Sequence, residues 1–149
     1  MRRSRVLLVI GFLAFVFLAV AALLARALTA PGDERARVLD VARAEAAGDA
    51  DKVVSLMPAC AAQPACAAST RGFVARLKRP GNVEVLNYQP SVQVTFSRTI
   101  GTGRIAWRAG RSGLPVVQCV RVRRDGPLTG NGVQLLSISA PIKGTSSCP

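Results

Sequence analysis

A chain of 149 residues has room for one ordinary domain. Half of its residues are apolar and 19% are charged, a balance that excludes a disordered chain. The formal charge is +12 and there is no histidine. Histidine-based metal sites and histidine-assisted nucleophiles are therefore absent, and polyanions or anionic membrane surfaces become the natural partners.

The chain opens on a basic n-region, residues 1–5, Met1-Arg-Arg-Ser-Arg5. It continues through Val6 to Ala25 without a charge. At ~1.5 Å rise per residue that run makes a helix about 30 Å long, the thickness of a bilayer's hydrocarbon core. A cleavable signal peptide has a shorter apolar stretch, so 6–28 reads as an uncleaved signal-anchor helix. The alternative is a secreted form cleaved near Ala27, where Ala25-Arg26-Ala27 offers a small-x-small exit. Three arginines and the amino terminus precede the span, which predicts a cytoplasmic N-terminus and an extracytoplasmic domain over 33–149. Ala30-Pro31-Gly32 reads as a short break between the two.

Asp33 is expected to cap a helix over 34–47, with Glu34 in its first turn, where acids complement the dipole. Val38, Leu39, Val41, Ala42 and Ala46 give that helix an apolar face. Gly48 ends it, and Asp49 caps a second helix that stops at Pro58. Ser69 or Thr70 can cap a third, with Phe73, Val74 and Leu77 on one face, ended by Pro80-Gly81. The period then changes to two. Strands are predicted at 82–88, 91–97, 104–108, 116–123 and 133–140. Ile105, Trp107, Val116, Val120 and Val122 point inward, and Arg104, Arg108, Cys119, Arg121 and Arg123 point outward. Gly101, Gly103, Gly110, Gly113, Gly126, Gly130 and Gly132 are assigned to the connections. Helices first and strands afterwards is an α+β order, with about three helices packed on an antiparallel sheet of four to six strands.

Cys60, Cys66, Cys119 and Cys148 make an even number in an exported chain, which predicts two disulfides. Three pairings are open. The preferred one is Cys60–Cys66, closing a short ring around Pro64, with Cys119–Cys148, fastening the C-terminus to a strand. The chain has no Cys-x-x-Cys, so neither a metal site nor a redox pair is expected, and no cofactor is implied.

The run from Ala44 to Leu56, helix–Gly48-Asp49–helix, resembles the opening of membrane-tethered domains with the NTF2-like (cystatin-like) fold. That resemblance implies a strongly curved antiparallel sheet wrapped around the helices. Enzymes of that fold use a His or Asp inside the pocket. The acids here crowd the first helices, so no catalytic residue carries over.

Two candidate sites follow. If the third and fourth predicted strands pair, Arg104, Arg108, Arg121 and Arg123 share one face, with Arg98 and Arg124 at its margins. Arginine forks suit phosphate and carboxylate, so anionic lipid headgroups, an envelope polymer or another envelope protein are the expected contacts. A solvated strand face whose long stems shield apolar surface is the plainer reading, and three lysines among 20 basic residues point to coding bias as one source of the arginine. Trp107, Phe96, Tyr88, Met57 and Gln118 are the candidates for lining a pocket for a small hydrophobic or lipid-like ligand. Nucleic acid is not expected, since aromatic platforms do not alternate with the basic residues. No nucleophile–base pair or facing carboxylates are visible, Glu84 and Asp125 being the only acids in the sheet region, so a non-catalytic binding or accessory module is the leading expectation and an enzyme a remote one.

Overall fold

The computed structural model describes residues 2–91, 97–126, 132–143 and 146–148, without the side chains of 2–5 and 26–31. Helix α1 spans Arg2–Ala47 as one unbroken element of 46 residues. The expected break at 30–32 does not form, and Asp33 is no cap but an exposed residue in mid-helix. Pro31 removes one i→i−4 hydrogen bond, at a cost of about 3 kcal/mol. The alanine-rich helical runs on both sides keep propagating across it, because extending an existing helix is far easier than nucleating a new one.

Within α1 the apolar run Val6–Ala25 is long and apolar enough to cross a membrane, and none of it is buried against the rest of the chain. Beyond it the helix changes character. Glu34, Val38, Val41, Ala42, Glu45 and Ala46 are buried in sequence intervals of three and four, one stripe down a single face. Gly48 takes φ +74 and ends the helix, a left-handed conformation in which glycine carries no Cβ penalty.

Helix α2 spans Ala50–Ser55 behind Asp49, whose carboxylate accepts from the Lys52 N–H at 2.9 Å. Pro58 and Pro64 then begin helices rather than merely interrupting them. Helix α3 is the single turn Pro58–Ala61, and α4 runs Pro64–Val74. Proline suits the first helical position, where its missing N–H would have had no partner. The third predicted helix therefore starts five or six residues before the expected Ser69 or Thr70 cap, and Thr70 is a buried interior residue, 3.6 Å from Cys60 Sγ. The Cys60–Cys66 bridge ties α3 to α4.

Four strands follow among the described residues: β1 Val83–Gln89, β2 Thr99–Ala109, β3 Val116–Asp125 and β4 Gly132–Ile138. They form an antiparallel meander in the order β1-β2-β3-β4. The predicted strand at 91–97 falls largely outside the described residues, and Phe96 with it. Gly101 and Gly103 lie within β2, not in a connection, and Gly132 opens β4. The chain leaving β1 crosses β2 so closely that a Cβ on Gly101 or Gly103 would meet the carbonyl of Ser91 or Gln89 at 2.8 or 2.9 Å. Only glycine permits that crossing.

The inner face of the sheet follows the two-residue period. Ile105 and Trp107 of β2, and Val116, Gln118, Val120, Val122 and Arg124 of β3, are all buried. Helix α1 lies against this face and runs opposite to β1 and β3. Glu34 meets Ser91 just past the end of β1 and Arg124 near the end of β3, while Glu45 meets Gln118 near the start of β3. The Cys119–Cys148 bridge fastens the penultimate residue to the outer face.

Candidate anion-binding site

The register separates the six arginines that the sequence groups together. Arg104 stands opposite Cys119, Arg121 opposite Thr102, and Arg123 opposite Ile100. Arg104, Arg108, Arg121 and Arg123 do share the outer face, but strung along the strands. From the Thr99–Arg124 row to the Trp107–Val116 row is eight residues, about 26 Å.

Their partners differ as well. Arg108 donates from Nε and Nη2 to Glu84 Oε2, at 2.9 and 2.8 Å, across the β1–β2 pair. Arg104 is likewise engaged. Arg98 donates to Asp125 Oδ1 at 2.6 Å, and Arg123 Nε lies 3.9 Å from Asp125 Oδ2, too far for a hydrogen bond. Arg121 has no ion-pair or hydrogen-bond partner among the described residues, and it is exposed. It sits in an open groove of about 550 Å³ lined also by Ile100, Thr102, Cys119, Ser137 and Ser139. Thr102, Arg121 and Ser137 form one cross-strand row. A guanidinium flanked by two hydroxyl-bearing residues, with Ile100 on one side and a disulfide on the other, offers fork donors and hydroxyl donors to a phosphate or carboxylate. A second groove, of about 470 Å³, carries Arg43 and Arg79 between the end of α1 and the start of β1. Both of those are already occupied, by Asp40 Oδ1 at 3.2 Å and by the Leu114 carbonyl at 2.6 Å.

Arg124 departs most from expectation. Placed by the sequence at the margin of the basic face, it is turned inward and 1% exposed, because its position in β3 has the parity of Val120 and Val122. Its Nε donates to Glu34 Oε2. Glu34 Oε1 accepts from the Tyr88 hydroxyl and, at 3.0 Å, from the Ser91 N–H, and Oε2 also accepts from Ser91 Oγ at 3.0 Å. Burial, reinforced by the Glu34 carboxylate it donates to, raises the Tyr88 hydroxyl pKa above its ordinary value. This cluster locks α1 to the ends of β1 and β3.

Of the proposed pocket residues, Trp107, Met57 and Gln118 meet in the core with 0% exposure, and Tyr88 belongs to the Glu34 cluster. Trp107 Nε1 donates to Gln118 Oε1 at 2.8 Å, and Gln118 Nε2 donates to Glu45 Oε1 at 2.9 Å and to the Ser139 carbonyl at 3.0 Å. Burial pushes the Glu45 carboxyl from 4.5 up to about 8, with the Gln118 hydrogen bond opposing in part. Its Oε2 has no hydrogen-bond partner among the described residues. Among the described residues no three metal-ligating side chains gather. Glu84 is exposed and Asp125 lies between two arginines.

The chain matches no family model, no curated protein and no solved structure.

Proposed function

We propose that the protein is a membrane-anchored, extracytoplasmic binding module that presents the Arg121 groove to a phosphate- or carboxylate-bearing partner. The observation that carries this reading is the contrast within the outer face: Arg104, Arg108 and Arg98 are engaged by the protein itself, and Arg121 is left for something else. Anchoring is supported by the exposed apolar run Val6–Ala25, and an extracytoplasmic domain by the two disulfides. Kinship with NTF2-like domains remains part of the proposal, supported by the order of helices before an antiparallel meander. The alternative of a lipid-like ligand between helices and sheet loses support, since Trp107, Met57 and Gln118 fill that space.

If α1 crosses the bilayer, the strands that run beside it stand upright, and the face bearing Arg121 looks sideways rather than down onto its own membrane. An anionic polymer or protein segment is therefore the ligand the geometry favours over the headgroups beneath. The test uses the full chain in nanodiscs of neutral lipid, titrated with polyphosphate and with polyglutamate. Binding should weaken with ionic strength, and Arg121→Gln should lower affinity about tenfold, as expected for a lost charge-assisted hydrogen bond. Equal affinity of the parent and the variant for both polymers would overturn the reading.

A further inference from the structure

The continuity of α1 sets a height. Glu34 lies nine residues beyond Ala25, about 13–14 Å further along the helix axis. The Glu34–Arg124 contact and the Ser91 hydrogen bonds pin the lower ends of β1 and β3 to that level of the helix. The sheet is thus not hung on a slack linker, and one rim of it is held at a set distance from the apolar run. Polar headgroups extend about 5–8 Å beyond the hydrocarbon edge on each side. The remaining gap, about 5–9 Å, is close to one Debye length at physiological salt, about 8 Å.

The charges at that level are mostly positive. Arg35 and Arg37 are exposed on α1, flanking the buried stripe. Helical side chains lean back toward the helix N-terminus, hence toward the apolar run. Arg98 just precedes β2 and Arg123 is two residues from the end of β3. Apart from Glu34, which is buried and paired with Arg124, the acids at the same level are Asp33 and Asp125. Asp125 receives the Arg98 Nε, yet the Arg98 side chain remains 60% exposed. The opposite end of the sheet is different. Arg108 there is consumed by Glu84, and it stands about 26 Å further along the strands, several Debye lengths away.

Resting on the reading that α1 spans a bilayer, we propose that this lower rim, with Arg35, Arg37, Arg98 and Arg123, docks on anionic phospholipid headgroups of the same membrane. The rim and the Arg121 groove then have separate tasks. The rim sets the domain's posture on the bilayer, and the groove faces outward for its ligand. Helix tilt, commonly ~20°, brings one side of the rim down into contact, and attraction to acidic lipid selects which side.

The test uses the full chain in nanodiscs of neutral phosphatidylcholine or of phosphatidylcholine mixed with phosphatidylglycerol, read by hydrogen–deuterium exchange. Recovery of the chain with the discs reports anchoring independently of lipid charge. A chain that does not insert overturns the anchoring reading and this proposal together. For an inserted chain, the acidic lipid should slow exchange at 98–101 and 123–126 about fivefold or more, the effect of roughly one arginine near an anionic surface. Exchange at 108–116 should not change. The effect should vanish at about 1 M salt, where the Debye length is ~3 Å. It should also vanish in the fourfold variant Arg35→Gln, Arg37→Gln, Arg98→Gln, Arg123→Gln. A variant of equal charge loss at the far end, Arg43→Gln, Lys78→Gln, Arg108→Gln, Arg111→Gln, should keep it. Identical exchange in the two lipids, or equal loss in both fourfold variants, would overturn the headgroup contact while leaving the anchor intact.

Discussion

Glu34 and Glu45 lie on one face of α1, about three turns apart, both at 0% exposure, and the fold treats them in opposite ways. Glu34 is saturated: a guanidinium, a phenol, a hydroxyl and a backbone N–H all donate to it. Glu45 has one amide donor and an oxygen with no partner among the described residues, and burial holds its carboxyl mostly protonated at neutral pH. A buried carboxylate needs a matched countercharge, and without one the proton is retained. The end of α1 nearer the apolar run is thus fastened by charge, and the far end by a neutral network through Gln118 to Trp107.

The sharpest way to break this contrast is to remove one half of the ion pair. Arg124→Met leaves the Glu34 charge buried without its counterion and should cost about 3–5 kcal/mol, measured by chemical denaturation. Glu34→Leu combined with Arg124→Met should recover much of that loss, because a buried pair replaced as a unit is often nearly neutral. A double variant as unstable as the sum of its parts would show that the pair is not coupled.

The Glu45 end should respond to pH instead. Its folded pKa, about 8, lies above its ordinary value of 4.5, so folding favours the protonated form. Stability from this group is complete below pH 4.5, falls by about 1.4 kcal/mol per unit between pH 4.5 and 8, and is flat above. Glu45→Gln cannot ionise. It should match the parent near pH 5 and exceed it by a few kcal/mol at pH 9. Parallel stability curves for parent and variant from pH 5 to 9 would refute a protonated Glu45.

The Cys119–Cys148 bridge sits next to Gln118 and closes a separation of 29 residues. Its replacement by two serines should cost about 2–4 kcal/mol. The loss should appear as faster amide exchange at 116–119, beside the neutral network, and not at 123–126, beside the ion pair. Equal loosening of both ends would mean that the two halves of the α1 contact are one cooperative unit.

Much of this was legible in the residues themselves. The two-residue period placed Ile105, Trp107, Val116, Val120 and Val122 inward, and they are buried. The same period extended by one step puts Arg124 inward too. That step was hidden by composition, since Arg121, Arg123 and Arg124 read together as one charged run. Glu34 was masked by Asp33, a good cap in form. A helix that does not begin there has no first turn, and Glu34 becomes the first member of the buried stripe. The crossing of Ser91 over Gly101 and Gly103 could not be foreseen, because glycines near a strand signal turns as readily as close approach. The grouping of the arginines failed for a related reason. Alternation tells which face a residue occupies, whereas the row it occupies depends on a register that pairs Arg121 with Thr102 and Ser137.

Arg121 and Arg124 sharpen the comparison from the other side, three residues apart on one strand and facing opposite ways. Arg124 is buried, and its loss strands a charge. Arg121 is exposed and bonded to nothing among the described residues, so Arg121→Gln should change stability by no more than about 0.5 kcal/mol, the usual range for a surface site. The same substitution should lower the polyanion affinity of the groove about tenfold. Thermal denaturation and polyphosphate titration on one preparation separate these effects. A variant that loses binding while keeping its unfolding midpoint locates the function on the outer face. A variant that loses stability by several kcal/mol would show that Arg121 holds a structural contact, and the division between an inner locking arginine and an outer binding arginine would fail.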